Sequence, residues 1–177
     1  PIQAHSQPAA DYPTKVVRII CVFGPGGGID VMARLVADRL TRTLGQSVIV
    51  ENRAGAGGNI GSEYVAKSAP DGYSLVATAN NHTINPFIYK NPGYDPRKDY
   101  AAVVQLAEGP SIIITGARSP YRSLKDVVNA ARSQPGTVVY GSGGTGSATN
   151  IQGEMFKKAA NIELTHIPYK GGGPANQ

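Results

Sequence analysis

The sequence is poor in the features that mark several specialised protein classes. One of its 177 residues is a cysteine, Cys21, so no internal disulfide can form. Its position inside an apolar run reads as a small buried hydrophobe and not as a reactive thiol. Charged residues make up 16%, below the usual ~25%, and Lys and Arg never run to five in succession. The net charge of +5 and pI near 9.4 therefore imply tolerance of anionic partners, without the footprint of a nucleic-acid binder. The longest apolar runs, 16–23 and 111–115, fall far short of the ~18 residues that cross a bilayer. The histidines His5, His82 and His166 lie far apart, and neither H-E-x-x-H nor C-x-x-C occurs. The chain opens at Pro1 without an initiator Met or a hydrophobic leader, as expected of a mature or trimmed N-terminus.

Glycine and proline are in excess. The 22 glycines and 13 prolines are about a fifth of the chain, against a usual ~12%. They cluster between apolar runs, which points to turns of special backbone geometry and not to disorder.

The β-branched run 16–23 reads as a buried strand ended by Gly24-Pro25-Gly26-Gly27-Gly28. A helix follows, with Asp30 placed to cap it, Met32, Leu35, Val36, Leu40 and Leu44 at helical spacing, and Gly45 to close it. Further strands are predicted over 47–51 and 74–78. Between them lie a glycine-rich stretch, 52–61, and a short helix to about Ser68. Strands alternating with helices argue for parallel βαβ units. After His82 the pattern loosens, punctuated by Pro86, Pro92 and Pro96. Strands are then predicted over 101–106 and 111–115, with a boundary between lobes near residue 100. Ser123 and Asp126 form the Ser-x-x-acid pattern of a capping box. The last elements expected are a strand over 137–140, a helix over 148–160 and a strand over 164–167. Pro174 suits the first turn of a helix that the sequence does not complete, so the natural chain is expected to continue.

The segments 24–29, 141–147 and 168–174 share one order: strand, glycine-rich turn, helix start. The first N–H groups of a helix lack internal partners and carry partial positive charge, and glycine lets a ligand approach the backbone. Three such loops at the carboxyl ends of strands point to anion binding by bare backbone. Gly141-Ser142-Gly143-Gly144-Thr145-Gly146 also satisfies G-x-G-x-x-G, which keeps a dinucleotide-binding α/β oxidoreductase as the alternative. The acid expected at the end of the next strand is absent, since His166-Ile167-Pro168 stands there. A hydrolase using Ser142 and His166 is a third reading. It is weakened by Tyr140, where a nucleophile elbow needs glycine.

Six segments taken in order resemble one family, the periplasmic solute receptors of tripartite tricarboxylate transporters, known as Bug or TctC. They are Val22 to Asp30, Glu51 to Gly61, Ala69-Pro70-Asp71-Gly72-Tyr73, His82-Thr83-Ile84-Asn85-Pro86, the 141–147 loop and His166 to Gly171. The resemblance implies a two-lobe α/β fold of the periplasmic-binding type (type II-like), each lobe a βαβ sheet flanked by helices. Residues 1–100 would form the first lobe, lacking a returning C-terminal segment, and 101–177 an incomplete second lobe. It implies a non-enzymatic receptor in the periplasm that captures a small carboxylate, a dicarboxylate or an aromatic acid, and delivers it to a membrane permease. No cofactor, metal or nucleic acid is implied.

Carried over by position, the resemblance places Phe23, Pro25, Gly26, Gly27 and Asp30 on the first lip of the cleft. Asn81 and His82 would approach from the hinge side. Ser142, Gly143, Thr145, Gly146, Ser147, Thr149 and Asn150 would form the second lip, with Tyr169 and Gly171 adjoining. Ile29 stands where many relatives have a small or hydroxyl residue, and Asn150 where histidine is frequent. Gly24 replaces a common proline, which implies a more adaptable first loop. The 52–61 stretch is read as structural and left outside the site.

Overall fold

The computed structural model describes residues 11–177; the reading of the first ten residues, His5 included, lies outside them. The β-branched run becomes β1 (Val17–Cys21), centre of a parallel sheet of order β2-β1-β3 with β2 (Val48–Asn52) and β3 (Ser74–Ala77). A central strand is covered on both faces, which is why the run is almost uniformly apolar. Ile20, Cys21 and Val22 are fully buried, and burial pushes the Cys21 thiol up, as fits an unreactive core group. α1 (Gly28–Leu44) connects β1 to β2 and packs on the sheet through Ala33 and Ala37, beside Val17, Ile19, Val48 and Ala77. Gly45 ends it in the left-handed conformation (φ 67°), its N–H bonded to the Thr41 carbonyl.

A short 3-10 turn, Ala56–Gly58, leads into α2 (Asn59–Ala66). Beyond β3 comes α3 (Asn81–Ile88), a helix not predicted from the sequence because Pro86 lies within it. Proline cannot donate the bond owed to the carbonyl four residues back, which is that of His82. The Tyr94 hydroxyl donates to that oxygen instead, at 3.0 Å.

The second lobe holds α4 (Leu124–Ser133), β4 (Val139–Ser142), α5 (Ala148–Ala160), β5 (Thr165–Pro168) and α6 (Gly172–Ala175). β4 and β5 pair in parallel around the α5 crossover, and Val127, Ala131, Val138, Ile162 and Leu164 form a second core. The predicted capping box is present: Ser123 accepts from the Asp126 N–H, and the Asp126 carboxylate accepts from Ser123 N–H at 2.9 Å.

The strands expected over 101–106 and 111–115 do not form; residues 101–116 have no regular secondary structure. The β-branched pattern is present, but a strand needs a neighbour for its backbone groups. No other described strand pairs with these residues. Val103, Val104, Ile112, Ile113 and Ile114 are accordingly exposed.

Candidate functional site

Two loops that end parallel strands, 22–27 and 143–147, face each other across the lobes. Both are built by the same local device. Gly26 and Gly146 take left-handed φ values of 79° and 80°, and the next residue, Gly27 or Ser147, is an extended N-cap. The residue three further on reaches back to the glycine N–H: Asp30 Oδ2 accepts from Gly26 and Asn150 Oδ1 from Gly146, each at 3.0 Å. Asp30 thus works from inside the first turn of α1 and is not its N-cap, because extended Gly27 already fills that position.

The two devices differ in charge. Asp30 is 3% exposed; its carboxylate accepts from Asn52 Nδ2 at 2.7 Å and Arg34 Nε at 3.0 Å. Burial alone would raise its pKa, but the bonds from Arg34, Gly26 and Asn52 together hold it below the usual carboxylate value. The guanidinium also offsets the negative charge beside the start of α1. Asn150 needs no counter-ion. Its amide nitrogen donates to the Tyr140 hydroxyl at 3.1 Å, and that hydroxyl donates to Glu154 at 2.7 Å. Burial and the adjacent Glu154 carboxylate push the Tyr140 phenol up to about 12.

Between the loops lies a cavity of about 110 Å³ lined by Phe23, Gly27, Gly28, Ile29, Ala79, Gly143, Ser147, Ala148, Thr149 and Gly172. The N-termini of α1 and α5 both open onto it, and no lining residue is charged. The first-turn N–H groups lack carbonyl partners within their helices, and each terminus carries about half a positive charge. Hydroxyls supply the rest. Ser147 Oγ accepts from Asn150 N–H at 3.2 Å and lies 3.1 Å from Thr149 Oγ1, which accepts from Gly143 N–H at 3.0 Å. Neutral donors and two helix termini suit a small anion. Five expected residues line this cavity: Phe23, Gly27, Gly143, Ser147 and Thr149. Gly28, Ile29, Ala79, Ala148 and Gly172 also line it and were not among the expected site residues.

The other expected residues stand elsewhere. Pro25, Gly26, Asp30, Gly146 and Asn150 shape the loops without lining the cavity. Asn81 is fully buried; it donates to the Gly57 carbonyl at 3.0 Å and accepts from Ala79 N–H at 3.1 Å, bracing the 56–58 turn. His82 lies in an aromatic cluster, stacked on Tyr94 and edge-on to Tyr100, with ring centroids 4.9 and 4.6 Å away. Thr145 and Tyr169 line a larger cavity of about 210 Å³ with Gly55, Ala56, Gly57, Gly58, Tyr89 and Lys170, adjoining the first across Phe23 and Gly143. Part of the 52–61 stretch, read as purely structural, therefore forms a wall of the cleft. Its four glycines were the available signal.

Gly171 places the third loop against the first. Gly24 N–H donates to the Lys170 carbonyl at 2.6 Å, and a Cβ on Gly24 would sit 2.7 Å from that oxygen. Glycine at position 24 thus docks the first loop to the second lobe, where proline would have neither the N–H nor the space. The expectation of a looser loop is corrected accordingly.

Ser142 is 1% exposed, with its hydroxyl 2.6 Å from His166 Nε2. Their hydrogen bonding argues against catalysis. The Asn150 amide nitrogen, oriented by its bonds to Gly146 and Tyr140, lies 3.5 Å from His166 Nδ1, an arrangement that favours the tautomer protonated at Nε2. Ser142 then accepts from His166 and Gly144 N–H (3.1 Å) and donates to the Gly144 carbonyl (3.3 Å). A ring donating to the hydroxyl cannot take its proton. The G-x-G-x-x-G loop is also spent internally, with the N–H groups of Gly143, Gly144 and Gly146 bonded to side chains of their own lobe. That leaves fewer loop donors for a pyrophosphate than the motif alone suggests.

Burial lowers the pKa of both His82 and His166; at His166 Glu154 opposes the shift and Lys157 adds to it. Below pH ~6.5 the unfolded chain therefore takes up protons that the fold resists. The stability contributed by these neutral rings is complete above ~6.5 and is lost as pH falls through the lowered folded values. The thermal midpoint is expected to drop between pH 7 and 5, and less steeply in His82→Gln/His166→Gln. Parallel profiles for the two proteins would refute this.

Among the described residues, no helix is long and apolar enough to cross a membrane, and no group of three His, Cys, Asp or Glu is placed to hold a metal. Residues 32–177 match the family described as TctC, the tripartite tricarboxylate transporter family receptor. The chain is 36% identical over 169 residues to protein BugT of Bordetella pertussis, covering 94% of this chain and 52% of that one. Its structure is similar to that of R. palustris Rpa4515 with adipate (TM-score 0.88, 37% identity, 93% of this chain and 56% of that one). It is also similar to MatC of Rhodopseudomonas palustris with bound malate (TM-score 0.83, 27% identity, 94% and 57%). The chain spans about half the length of the curated relatives it matches. With the matching residues running from within α1 through both lobes, the chain belongs to the tripartite tricarboxylate transporter receptor family.

Proposed function

We propose that the protein is a non-enzymatic receptor that closes its two lobes on a small carboxylate, a dicarboxylate or an aromatic acid, and delivers it from the periplasm to the permease of a tripartite transporter. The lobes divide near residue 100. The observation that carries the reading is the pair of helix N-termini, those of α1 and α5, opening on one uncharged cavity of about 110 Å³. A carboxylate between them is stabilised by donors from both lobes at once, so its binding favours the closed state by the difference in affinity between the two states. A second functional group extends past Phe23 toward the larger cavity. The presence of adipate and malate in two structural neighbours supports a dicarboxylate.

The test is a thermal-shift screen against mono-, di- and tricarboxylates, aromatic acids, their amides and NAD(P). At a hundredfold excess over Kd a bound acid stabilises by about 2.7 kcal/mol, expected to raise the midpoint by about 5–10 °C. The matching amide should do nothing. A shift with NAD(P) and none with any carboxylate overturns the receptor in favour of the dinucleotide reading.

A further inference from the structure

Away from the anion cavity, the end of α3 carries a second contact between the lobes. Tyr89 follows the helix in extended backbone, its N–H bonded to the Asn85 carbonyl at 2.8 Å. Its hydroxyl donates to the Thr145 carbonyl, in the middle of the second loop, at 3.0 Å. The surfaces around this bond are close. A Cβ on Gly57 would collide with the Thr145 oxygen, and one on Gly146 would lie 3.4 Å from the Tyr89 ring and 2.5 Å from Asn85 Oδ1.

Both sides of the contact are braced before they meet. On the first lobe, the Gly57 carbonyl accepts from Asn81 and Asn85 at 3.0 and 2.9 Å, and Asn85 also donates to Asn59 Oδ1 at 2.6 Å. On the second lobe, Thr145 is flanked by Gly144 and Gly146, whose N–H groups are bonded to Ser142 and Asn150. A bond between two preformed surfaces is made or broken as the lobes meet or part, and contributes to the closed state alone. The other contact, from Gly24 N–H to the Lys170 carbonyl, is backbone to backbone, so Tyr89 supplies the side-chain latch.

We infer that Tyr89 is a positioning residue that latches the closed receptor, holding the second loop over the cavity through Thr145 and slowing release of the bound acid. This rests on the receptor reading above. The test is Tyr89→Phe, which removes only the hydroxyl, with adipate and malate as probes. A hydrogen bond present in the closed state alone corresponds to a rise in Kd of about three- to tenfold. The rise is expected equally for both acids and entirely in the dissociation rate, with association and the midpoint of the free chain unchanged. Hydrogen exchange at residues 143–147 of the acid-bound chain should quicken, while that of the free chain stays the same. An unchanged dissociation rate overturns the latch, as does a fall in association with a lower midpoint, which is the mark of a folding role. If the wild-type chain binds neither acid nor any other carboxylate, the receptor reading fails and the latch falls with it; if it binds and Tyr89→Phe releases the acid at the same rate, the latch alone is overturned.

Discussion

Replacing Ser147 by phenylalanine is expected to abolish carboxylate binding while lowering stability only modestly. Ser147 is 3% exposed and caps α5 at the edge of a cavity of about 110 Å³. A phenyl ring at that position enters the space the anion needs and separates the two helix termini that share it. The structural cost is the lost cap, about 1 kcal/mol, or about 2–4 °C in the midpoint. Ser147→Ala separates the two effects: it loses the same cap but leaves the cavity open, so its stability falls similarly while affinity survives in weakened form. Calorimetric titration with adipate or malate, alongside the thermal midpoints, checks both variants. Wild-type affinity in Ser147→Phe would remove this cavity from the function.

Asp30→Ala is expected to have the largest effect on stability. One buried carboxylate serves Gly26 N–H, Asn52 Nδ2 and the Arg34 guanidinium, so its removal leaves several donors without an acceptor. Stranded buried donors cost about 1–3 kcal/mol each, less where water reaches them. Arg34 is half exposed and regains water, so we expect a total loss of about 2–4 kcal/mol, with weaker acid binding as the 24–27 loop loosens. Asp30→Asn should cost less, because Asn150 already holds Gly146 in the equivalent arrangement. With its folded pKa below 3.8, the Asp30 contribution is complete above about pH 4 and disappears as pH falls through the lowered value. Urea titrations of the three proteins at neutral and acid pH measure these differences. Equal stability of Asp30→Ala and the wild type would show that the loop is held by other contacts.

Much of the fold was legible because its signals are local. The run at 16–23, the helical spacing from Met32 to Leu44, the left-handed stop at Gly45 and the Ser123–Asp126 box each concern residues a few positions apart. They reappear within about two residues of where the sequence places them. The sequence misled where local preference met a distant condition. Residues 101–106 and 111–115 have strand composition but no strand beside them. Pro86 reads as a helix breaker, yet α3 continues because the Tyr94 hydroxyl takes the carbonyl that proline leaves unbonded.

The site divides in the same way. Its loops could be found from strand, glycine and helix order, and Phe23, Gly27, Gly143, Ser147 and Thr149 line the cavity. Asn81 and His82 are close in sequence to a wall of the cleft, but their side chains turn into the first lobe, toward Gly57 and toward the ring cluster with Tyr94 and Tyr100. Gly57 and Tyr89 reach Thr145, more than fifty residues away, and nothing near either in the chain signals that contact.

The sequence alone determined the parallel α/β units, the glycine-rich loops at their carboxyl ends and the helix starts that offer bare N–H groups to an anion. These follow from periodicity and backbone geometry, which act over a few residues. Only the tertiary structure decided which donors remain for a ligand and which are consumed internally. A hydrogen bond removes a donor wherever in the chain its acceptor lies, and the acceptors here arrive from other elements. The Gly57 carbonyl takes the amides of Asn81 and Asn85 from α3, Lys170 docks Gly24 from the opposite lobe, and Tyr89 reaches Thr145 from the end of α3.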